Sequence, residues 1–306
     1  MLNYVLRRLA QAGLILLGVS FITFALLYVL PADPAVQIAG RSATPETVAS
    51  IRAQLGLDQP LLAQYWNYLS NLAQGDFGRS YLQKTEVSTL IQSRIGPSLS
   101  LMFFAILIEL IIGLSAGIYS AIRRGKLSDN VVMVSSFIAI SAPQFIISIF
   151  VLYIFAVKLG WFPIGGYGRP IHYVLPALTL GILGSGWYSR VMRSSMIDVL
   201  RQDYIRTARA KGAPISRIIR VHAFKNAVLP IIAMIGLDIG IFMGGIVVVE
   251  SVFGWPGIGQ LAWQAIQRVD IPIIMAVTLV SAIAIVIGNL IADLIAPFVD
   301  PRIRLK

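Results

Sequence analysis

Six long apolar segments constrain this chain more than any other feature of its sequence. A helix needs about 20 apolar residues to cross the hydrocarbon core of a bilayer, and each of the six is close to or beyond that length. The segments are Leu9–Leu30, Leu99–Ile122, Val131–Val157, Tyr173–Ser189, Val228–Val249 and Ile273–Pro297. Because lipid offers no partners for backbone polar groups, such segments cross the membrane as helices. The sequence therefore predicts an all-α integral membrane protein with six transmembrane helices.

The composition agrees with a membrane protein and excludes several other classes. Of the 306 residues, 57% are hydrophobic and only 13% are charged, whereas about 25% of a soluble domain is charged. A soluble globular enzyme is therefore not expected. The chain also has no cysteine, which excludes disulfides, zinc–thiolate sites and thiol nucleophiles.

The net charge of +11 is distributed unevenly between the loops. With the N-terminus on the inside, the inner segments hold 17 of the 25 Lys and Arg residues, and the outer segments hold 8. Cytoplasmic loops of membrane proteins carry such an excess. The pattern predicts that both termini are cytoplasmic. Membrane topology and contact with membrane lipids therefore account for the basic charge, and no nucleic-acid partner is expected.

The outer loop, residues 31–98, is too long to be a simple connector and contains helix signals. Thr-Pro-Glu at 44–46 is typical of a helix N-terminus. A second, amphipathic helix is predicted after Pro60, and a third from Thr85 to Arg94. Three aromatic residues of the second helix either anchor the loop at the membrane interface or pack it as a cap on the bundle; they are Tyr65, Trp66 and Tyr68.

The inner loop, residues 190–227, is helical in character and holds nine of the basic residues. Gly-Ala-Pro at 212–214 interrupts it, so one short helix should end there and another begin. The basic faces of both helices are expected to point to lipid headgroups or to a partner. Four apolar residues are expected to pack toward the membrane: Ile205, Ala208, Ile218 and Val221.

Motifs for nucleotide or metal chemistry are missing from this sequence. It contains neither a P-loop nor a His-Glu-x-x-His pattern, so no nucleotide or catalytic zinc ion is expected to bind this chain by itself. The two histidines, His172 and His222, fall on opposite sides of the membrane and cannot share a metal. No metal site is therefore predicted.

Three acidic residues lie within the predicted membrane helices: Glu109, Asp238 and Asp293. Ionisable groups at membrane depth are candidates for function. Asp238 and Asp293 could form the dyad of an intramembrane aspartyl protease. Alternatively, Asp238 and Glu109 bond to Ser, Thr or backbone groups of other helices, or line a pathway. A secondary transporter is a further alternative, but it should show internal repeats, and none is apparent in the sequence.

The inner loop carries a string of residues that resembles the coupling loop of ABC importer permeases. It is most similar to the dipeptide, oligopeptide and nickel branch, and the chain length and its start at residues 1–4 are similar to glutathione-type members. Four further segments carry the same resemblance: residues 55–60, 75–78, 248–259 and 300–304. The residues of the coupling string are Asp203, Tyr204, Arg206, Thr207, Ala208, Arg209, Ala210, Lys211, Gly212, His222 and Asn226.

This resemblance implies a fold and a set of partners. The fold is that of a type I ABC importer permease, with six helices, a helical outer loop and a cytoplasmic coupling helix. The partners are a second, homologous permease, two P-loop ATPase subunits and an extracytoplasmic solute-binding protein. ATP and Mg would bind to the ATPases, so this chain is expected to hold no cofactor and to be no enzyme. Its expected location is the bacterial inner membrane.

The function that the resemblance implies is half of a translocation pathway for peptides or a similar small solute. The organisation is then a tail and first helix at 1–30, the outer loop at 31–98, and a five-helix core at 99–306. Three residues are candidates to line the pathway: Asp238, Glu109 and Trp255. For Trp255, an anchoring role at the membrane interface is an equal alternative.

The loop departs from the general permease motif, in which Glu-Ala-Ala precedes a glycine by three intervening residues. Counting back from Gly212, those places hold Arg206, Thr207 and Ala208. The departure resembles the peptide branch. No acidic contact is therefore expected at Arg206, while coupling through the loop is.

Overall fold

The computed structural model describes residues 2–29, 34–40, 43–54 and 56–299, and the regular structure within them is helical. Two π-helical segments, Tyr153–Lys158 and Ile218–Ala223, occur beside the α-helices. The α-helices are α1 Leu2–Val29, α2 Pro34–Ala39, α3 Pro45–Gln54, α4 Leu61–Ala73, α5 Val87–Ile122, α6 Leu127–Ser141, α7 Gln144–Leu152, α8 Pro170–Leu200, α9 Asp203–Ala210, α10 Ile215–Arg217, α11 Phe224–Ala227, α12 Leu229–Gly245, α13 Val247–Val252, α14 Ile258–Arg268 and α15 Ile271–Val299. The all-α fold class is confirmed.

Among the described residues, three helices are long and apolar enough to cross a membrane, and five do so if each of two bent pairs counts as one span. The three lie within α1, α5 and α15, and the bent pairs are α6 with α7 and α10–α11 with α12. Each of these five overlaps one predicted span, although the fifth prediction, Val228–Val249, runs past the end of α12 into α13. The remaining prediction, Tyr173–Ser189, lies in α8, which has 31 residues but is not among the five.

The third predicted span is not one continuous helix. Helices α6 and α7 meet at an angle of 101°. Ala142 and Pro143 both have extended backbone there, with ψ angles of 126° and 127°. A residue before proline is pushed out of the helical region, because the proline ring clashes with its backbone. The single helix predicted over Val131–Val157 is therefore corrected to two helices joined at Pro143.

The third helix predicted in the outer loop is not a separate element. It is the first part of α5, which has 36 residues and passes through Pro97 without a break. At 1.5 Å per residue, α5 is about 54 Å long, which exceeds the roughly 30 Å of a hydrocarbon core. Helix α5 therefore crosses the predicted boundary at Ser98 and joins the outer loop to the membrane core.

The outer loop packs on the bundle through α4 and a turn. The Tyr65 hydroxyl lies 2.9 Å from the hydroxyl of Ser20 on α1, and the rings of Tyr65 and Tyr68 contact Phe24. Ser80, in the turn before α5, donates a hydrogen bond of 2.5 Å to Asp270, the residue before α15. These contacts fit the cap interpretation for the two tyrosines.

Glycines allow three of the helices to pack closely in the core. A Cβ atom at Gly117 of α5 would lie 2.6 Å from the carbonyl of Ser189 on α8. A Cβ at Gly186 of α8 would lie 2.6 Å from the carbonyl of Ser136 on α6. Small residues let membrane helices approach in this way. Helices α5, α6 and α8 therefore form one closely packed unit.

Two predictions fall partly outside the description. The segment 300–304, which carried part of the family resemblance, lies outside the described residues. The backbone of Asp293 belongs to α15, but its side chain lies outside the described part, and so does the contact that a dyad with Asp238 would need.

Candidate functional site: the inner loop and the buried acids

Helix α9 of the inner loop presents its polar side chains to the surroundings. The side chains of Asp203 and Arg206 are 94% and 78% exposed, and they form a weak ion pair at 3.4 Å. Such an exposed pair adds little stability. Of the predicted coupling residues, His222 and Ala208 are half-buried and the others are exposed. The candidate residues therefore form a surface that is accessible to a partner protein.

The opposite face of the inner loop packs against the end of α8. Ile205 is fully buried, and it lies in one apolar cluster with Met192 and Met196 of α8. Ile218 and Ala223 belong to the same cluster. Burying these side chains is favourable at about 25 cal/mol per Å² of apolar surface. The loop is therefore packed on the body of the protein rather than attached only by its ends.

The expected inward face of the second inner helix needs one correction. Val221 is 58% exposed, whereas Ile218 and Ala223 are buried. Residues 218–223 form a π-helix, in which hydrogen bonds join residues five apart rather than four apart. The wider turn places residue 223, not residue 221, on the face of Ile218.

A hydrogen bond closes the inner loop across 22 residues. The side-chain amide of Asn226 donates to the hydroxyl of Tyr204 at 2.9 Å. The same amide lies 3.3 Å from the backbone carbonyl of His222. The structure thus brings together three predicted residues from both ends of the string. This contact joins the first helix of the loop to the segment that leads into α12.

Gly212 makes the sharp turn that ends α9. Its φ angle is +77°, in the left-handed region that glycine adopts readily and most other residues do not. The next amide, that of Ala213, donates back to the carbonyl of Ala208 at 3.2 Å. This is the arrangement in which a left-handed residue terminates a helix and satisfies its last carbonyls. The predicted break at 212–214 is observed.

The intramembrane acids Glu109 and Asp238 meet at one place in the core. The hydroxyl of Tyr188 donates a hydrogen bond to Asp238, and the carboxyl group of Glu109 lies close enough to that of Asp238 for the two acids to interact. The sequence-based expectation of bonds to Ser, Thr or backbone is therefore replaced by a cluster from α5, α8 and α12.

Gly184 of α8 leaves the space that the carboxyl group of Glu109 occupies in this cluster. A Cβ atom at position 184 would overlap the carboxyl group of Glu109. Glu109 is only 2% exposed, while Asp238 is half-buried. Of the two acids, Asp238 thus reaches the surface of the chain and Glu109 does not.

Trp255 lies inside the chain rather than on an open surface. It is 0% exposed, packs edge-on against the rings of Tyr167 and Tyr173, and donates to the carbonyl of Pro97 at 3.1 Å. In this conformation neither a pathway surface nor a lipid interface is open to it. The predicted lining or anchoring position is corrected to a packed core position.

Glu250 is a buried acid that the sequence reasoning did not single out. It is fully buried and accepts hydrogen bonds from Ser98 at 2.6 Å and from the backbone of Gln260 at 2.9 Å. Ser98 in turn accepts from the backbone of Ile258 at 2.8 Å. A carboxylate satisfies the free amides at the start of a helix. Glu250 therefore fixes the start of α14 against α5.

The described residues contain no group of three or more His, Asp or Glu side chains placed to hold a metal ion. The arrangement instead combines an exposed basic loop, a helical membrane core and buried polar links between helices.

Two family models match this chain along most of its length. Residues 1–102 match the N-terminal region of binding-protein-dependent transport system membrane components. Residues 113–305 match the binding-protein-dependent transport system inner membrane component.

The chain belongs to this family. It is thus a permease subunit of a binding-protein-dependent ABC importer, located in the inner membrane and crossing it several times. The family resemblance stated from the inner loop is confirmed. ATPase activity resides in partner subunits of such an importer, and a binding protein is also a partner.

Curated relatives of this permease match it over its whole length. It is 40% identical over 306 residues to the glutathione transport system permease protein GsiC of Shigella flexneri serotype 5b. The identity to the protein of the same name from Escherichia coli strain K12 is also 40%. In both comparisons the match covers 100% of each chain. The branch of the family indicated by the inner loop is therefore confirmed.

A solved structure shares the fold of this permease. A chain of the MetNI methionine ABC transporter, in an inward-facing conformation, superposes with a TM-score of 0.59 at 18% identity. The match covers 69% of this chain and 96% of the other. At that identity the likeness concerns the fold alone, and it confirms an ABC importer permease architecture.

Proposed function

We propose that this permease forms half of a translocation pathway for glutathione or similar short peptides. The full-length identity of 40% to glutathione transport permeases carries this proposal. Nickel complexes, which the wider branch also transports, are the second candidate substrate class. The binding protein selects the substrate in this scheme, and the permease accepts what it delivers.

The inner loop is the docking surface for an ATPase in this proposal. Its exposed face carries Arg206, Arg209 and Lys211, and its other face is packed on α8 through Ile205. A partner that pushes on the exposed face therefore acts on a helix that continues into the membrane. The hydrogen bond between Asn226 and Tyr204 holds both ends of the loop together when the partner pushes on it.

Energy enters from partner subunits in this scheme. Two P-loop ATPases bind ATP and Mg, and each docks on the inner loop of one permease. Their closure draws the two loops together and turns the pathway toward the outer face, and hydrolysis resets it. A second, homologous permease completes the pathway. The excess of basic residues on the inner loops supports an orientation with both termini in the cytoplasm.

Asp238 is the residue proposed to reach the pathway. It is half-buried, and Ile241, one turn further along α12, is 62% exposed. Glu109 and Tyr188 support it from inside the chain. An acid at this place suits a solute that carries an ammonium group, which both peptides and glutathione do.

The substrate is tested with the purified complex of both permeases, both ATPases and the binding protein. Titration calorimetry of the binding protein with glutathione, a dipeptide and a nickel complex ranks the ligands. Uptake of the tightest ligand into proteoliposomes should require ATP and the binding protein. If the binding protein prefers the nickel complex, nickel complexes replace glutathione and short peptides as the proposed substrate class. Transport by this chain alone would overturn the importer scheme.

The docking surface is tested by reversing one charge on it. Arg209→Glu should weaken co-purification of the ATPases, because the exposed face of α9 loses a cation. Arg220→Glu, a reversal at another exposed site of the inner loop outside the coupling string, is the matched control. Equal recovery of the ATPases from both variants would contradict docking on α9.

A further inference from the structure

Asp129, at the start of α6, is a buried carboxylate with an unusually complete set of donors. It is 1% exposed. Arg193 of α8 binds both of its oxygens at 2.7 Å, through Nε and Nη2. The backbone of Gly125 donates to it at 2.9 Å, and the hydroxyl of Ser120 donates as well. The pair thus joins the end of α5, the turn after it, α6 and α8.

The geometry of this pair is that of a fixed contact. A planar guanidinium that binds both carboxylate oxygens sets orientation as well as distance. Arg193 also lies 3.1 Å from the Ser120 hydroxyl, so the same side chain bonds to α5 and α6. A buried ion pair is retained only where such additional bonds satisfy both groups. The contact therefore holds the first turn of α6 in one place relative to α8.

The pair lies close to the inner loop. Arg193 stands seven residues before Leu200, the last residue of α8, which corresponds to about 10 Å along the helix. Met192 and Met196 on the same part of α8 pack against Ile205 of the loop. A displacement of the loop therefore reaches the part of α8 that holds α6.

We propose that Arg193 is a positioning residue that fastens α6 to α8, so that movement of the inner loop is passed to the bent α6–α7 pair. The proposal rests on the coupling role proposed above for the loop. It assigns the third span, with its break at Pro143, to the elements that move with α8. Without the ion pair, α8 moves with the ATPases but α6 does not move with α8. ATP is then hydrolysed without transport.

Charge-conserving substitutions test this role in the complete complex in proteoliposomes. Arg193→Lys keeps the charge but loses the two-pronged geometry. Arg190→Lys, on the same helix, is the matched control, because Arg190 contacts α6 through the ring of Phe137 at 4.4 Å, and lysine can make the same kind of cation–ring contact. The expected result is that Arg193→Lys retains ATP hydrolysis while uptake per ATP falls several-fold. Arg190→Lys should keep the wild-type ratio.

A covalent link provides a readout that loss of stability would not produce. The hydroxyls of Ser136 on α6 and Ser189 on α8 lie 3.0 Å apart, and the chain has no cysteine of its own. Ser136→Cys combined with Ser189→Cys, oxidised to a disulfide, should restore uptake per ATP to Arg193→Lys, and reduction should remove it again.

Three results would overturn the proposal. One is an unchanged ratio of uptake to hydrolysis in Arg193→Lys. Another is a parallel loss of uptake and hydrolysis that the disulfide does not restore, which would make the pair purely structural. The last is a loss of uptake when the disulfide is formed in the otherwise unchanged chain, because α6 and α8 would then have to move apart. Failure of the coupling role itself is separate, since Arg209→Glu and Arg220→Glu would then recover the ATPases equally.

Discussion

The hydroxyl of Tyr188 on α8 donates a hydrogen bond to the carboxyl group of Asp238 on α12. Helix α8 leads into the inner loop, and α12 follows it. This bond therefore connects the two long helices that flank the inner loop. Glu109 on α5 joins the same cluster, so three helices meet at these polar groups.

Removing the Tyr188 hydroxyl should weaken the contact between α8 and α12. Tyr188→Phe leaves a half-buried carboxyl group without its donor, which costs about 1–3 kcal/mol. The midpoint of thermal unfolding of the purified complex should fall. Tyr173→Phe is the matched control, because that hydroxyl makes a longer contact of 3.2 Å with Ser100. An equal fall of the unfolding midpoint in both variants would show that the hydrogen bond to Asp238 stabilises the complex no more than the contact of Tyr173 does.

Enlarging Gly184 should displace Glu109 from the cluster. In Gly184→Ala the new methyl group overlaps the Glu109 carboxyl group, and overpacking of this kind costs about 1–3 kcal/mol. Thermal unfolding measures the loss. Gly18→Ala, where no atom lies within 4 Å of the added carbon, should be harmless. Adding Glu109→Ala to Gly184→Ala should recover part of the stability, and no recovery would argue that the clash lies elsewhere.

Gly212 should accept asparagine better than leucine. Its φ of +77° disfavours a side chain by roughly 1–2 kcal/mol, but asparagine visits this region more readily than other residues. Gly212→Leu should lower ATP hydrolysis stimulated by the binding protein while insertion into the membrane stays normal. Gly212→Asn should retain most of it. Normal stimulated hydrolysis in Gly212→Leu would refute a role for this turn in coupling.

Trp66 should contact lipid, unlike Trp255. Trp66 is 72% exposed on α4, next to Leu62 at 80%, and α4 packs on the part of α1 that contains Ser20. Brominated lipids quench tryptophan at the membrane surface. Trp66→Phe should therefore remove a quenched part of the fluorescence, and Trp255→Phe an unquenched part. Loss of an unquenched part in Trp66→Phe would place α4 away from the bilayer.

The outer loop illustrates how far sequence patterns lead. The start of α3 was predictable because Thr44 accepts a bond from the amide of Thr47 at 3.3 Å, a local contact. The third outer helix was predicted as separate, but it is continuous with α5. Proline often ends a helix, yet Pro97 lies inside α5, where its carbonyl accepts from the Trp255 ring at 3.1 Å. That contact comes from 158 positions away, which no local pattern contains.

The sequence by itself determined that this chain is a helical membrane protein, which segments are apolar enough to form its long helices, and which loop is exposed and basic. These properties follow from contiguous residues, because lipid and water act on each segment separately. Only the tertiary structure decided which polar groups meet. Tyr188 and Asp238 are 50 residues apart, and Arg193 and Asp129 are 64 apart. The pairing of Arg193 with Asp129 depends on how closely α6 and α8 approach at Gly186, which is a property of packing.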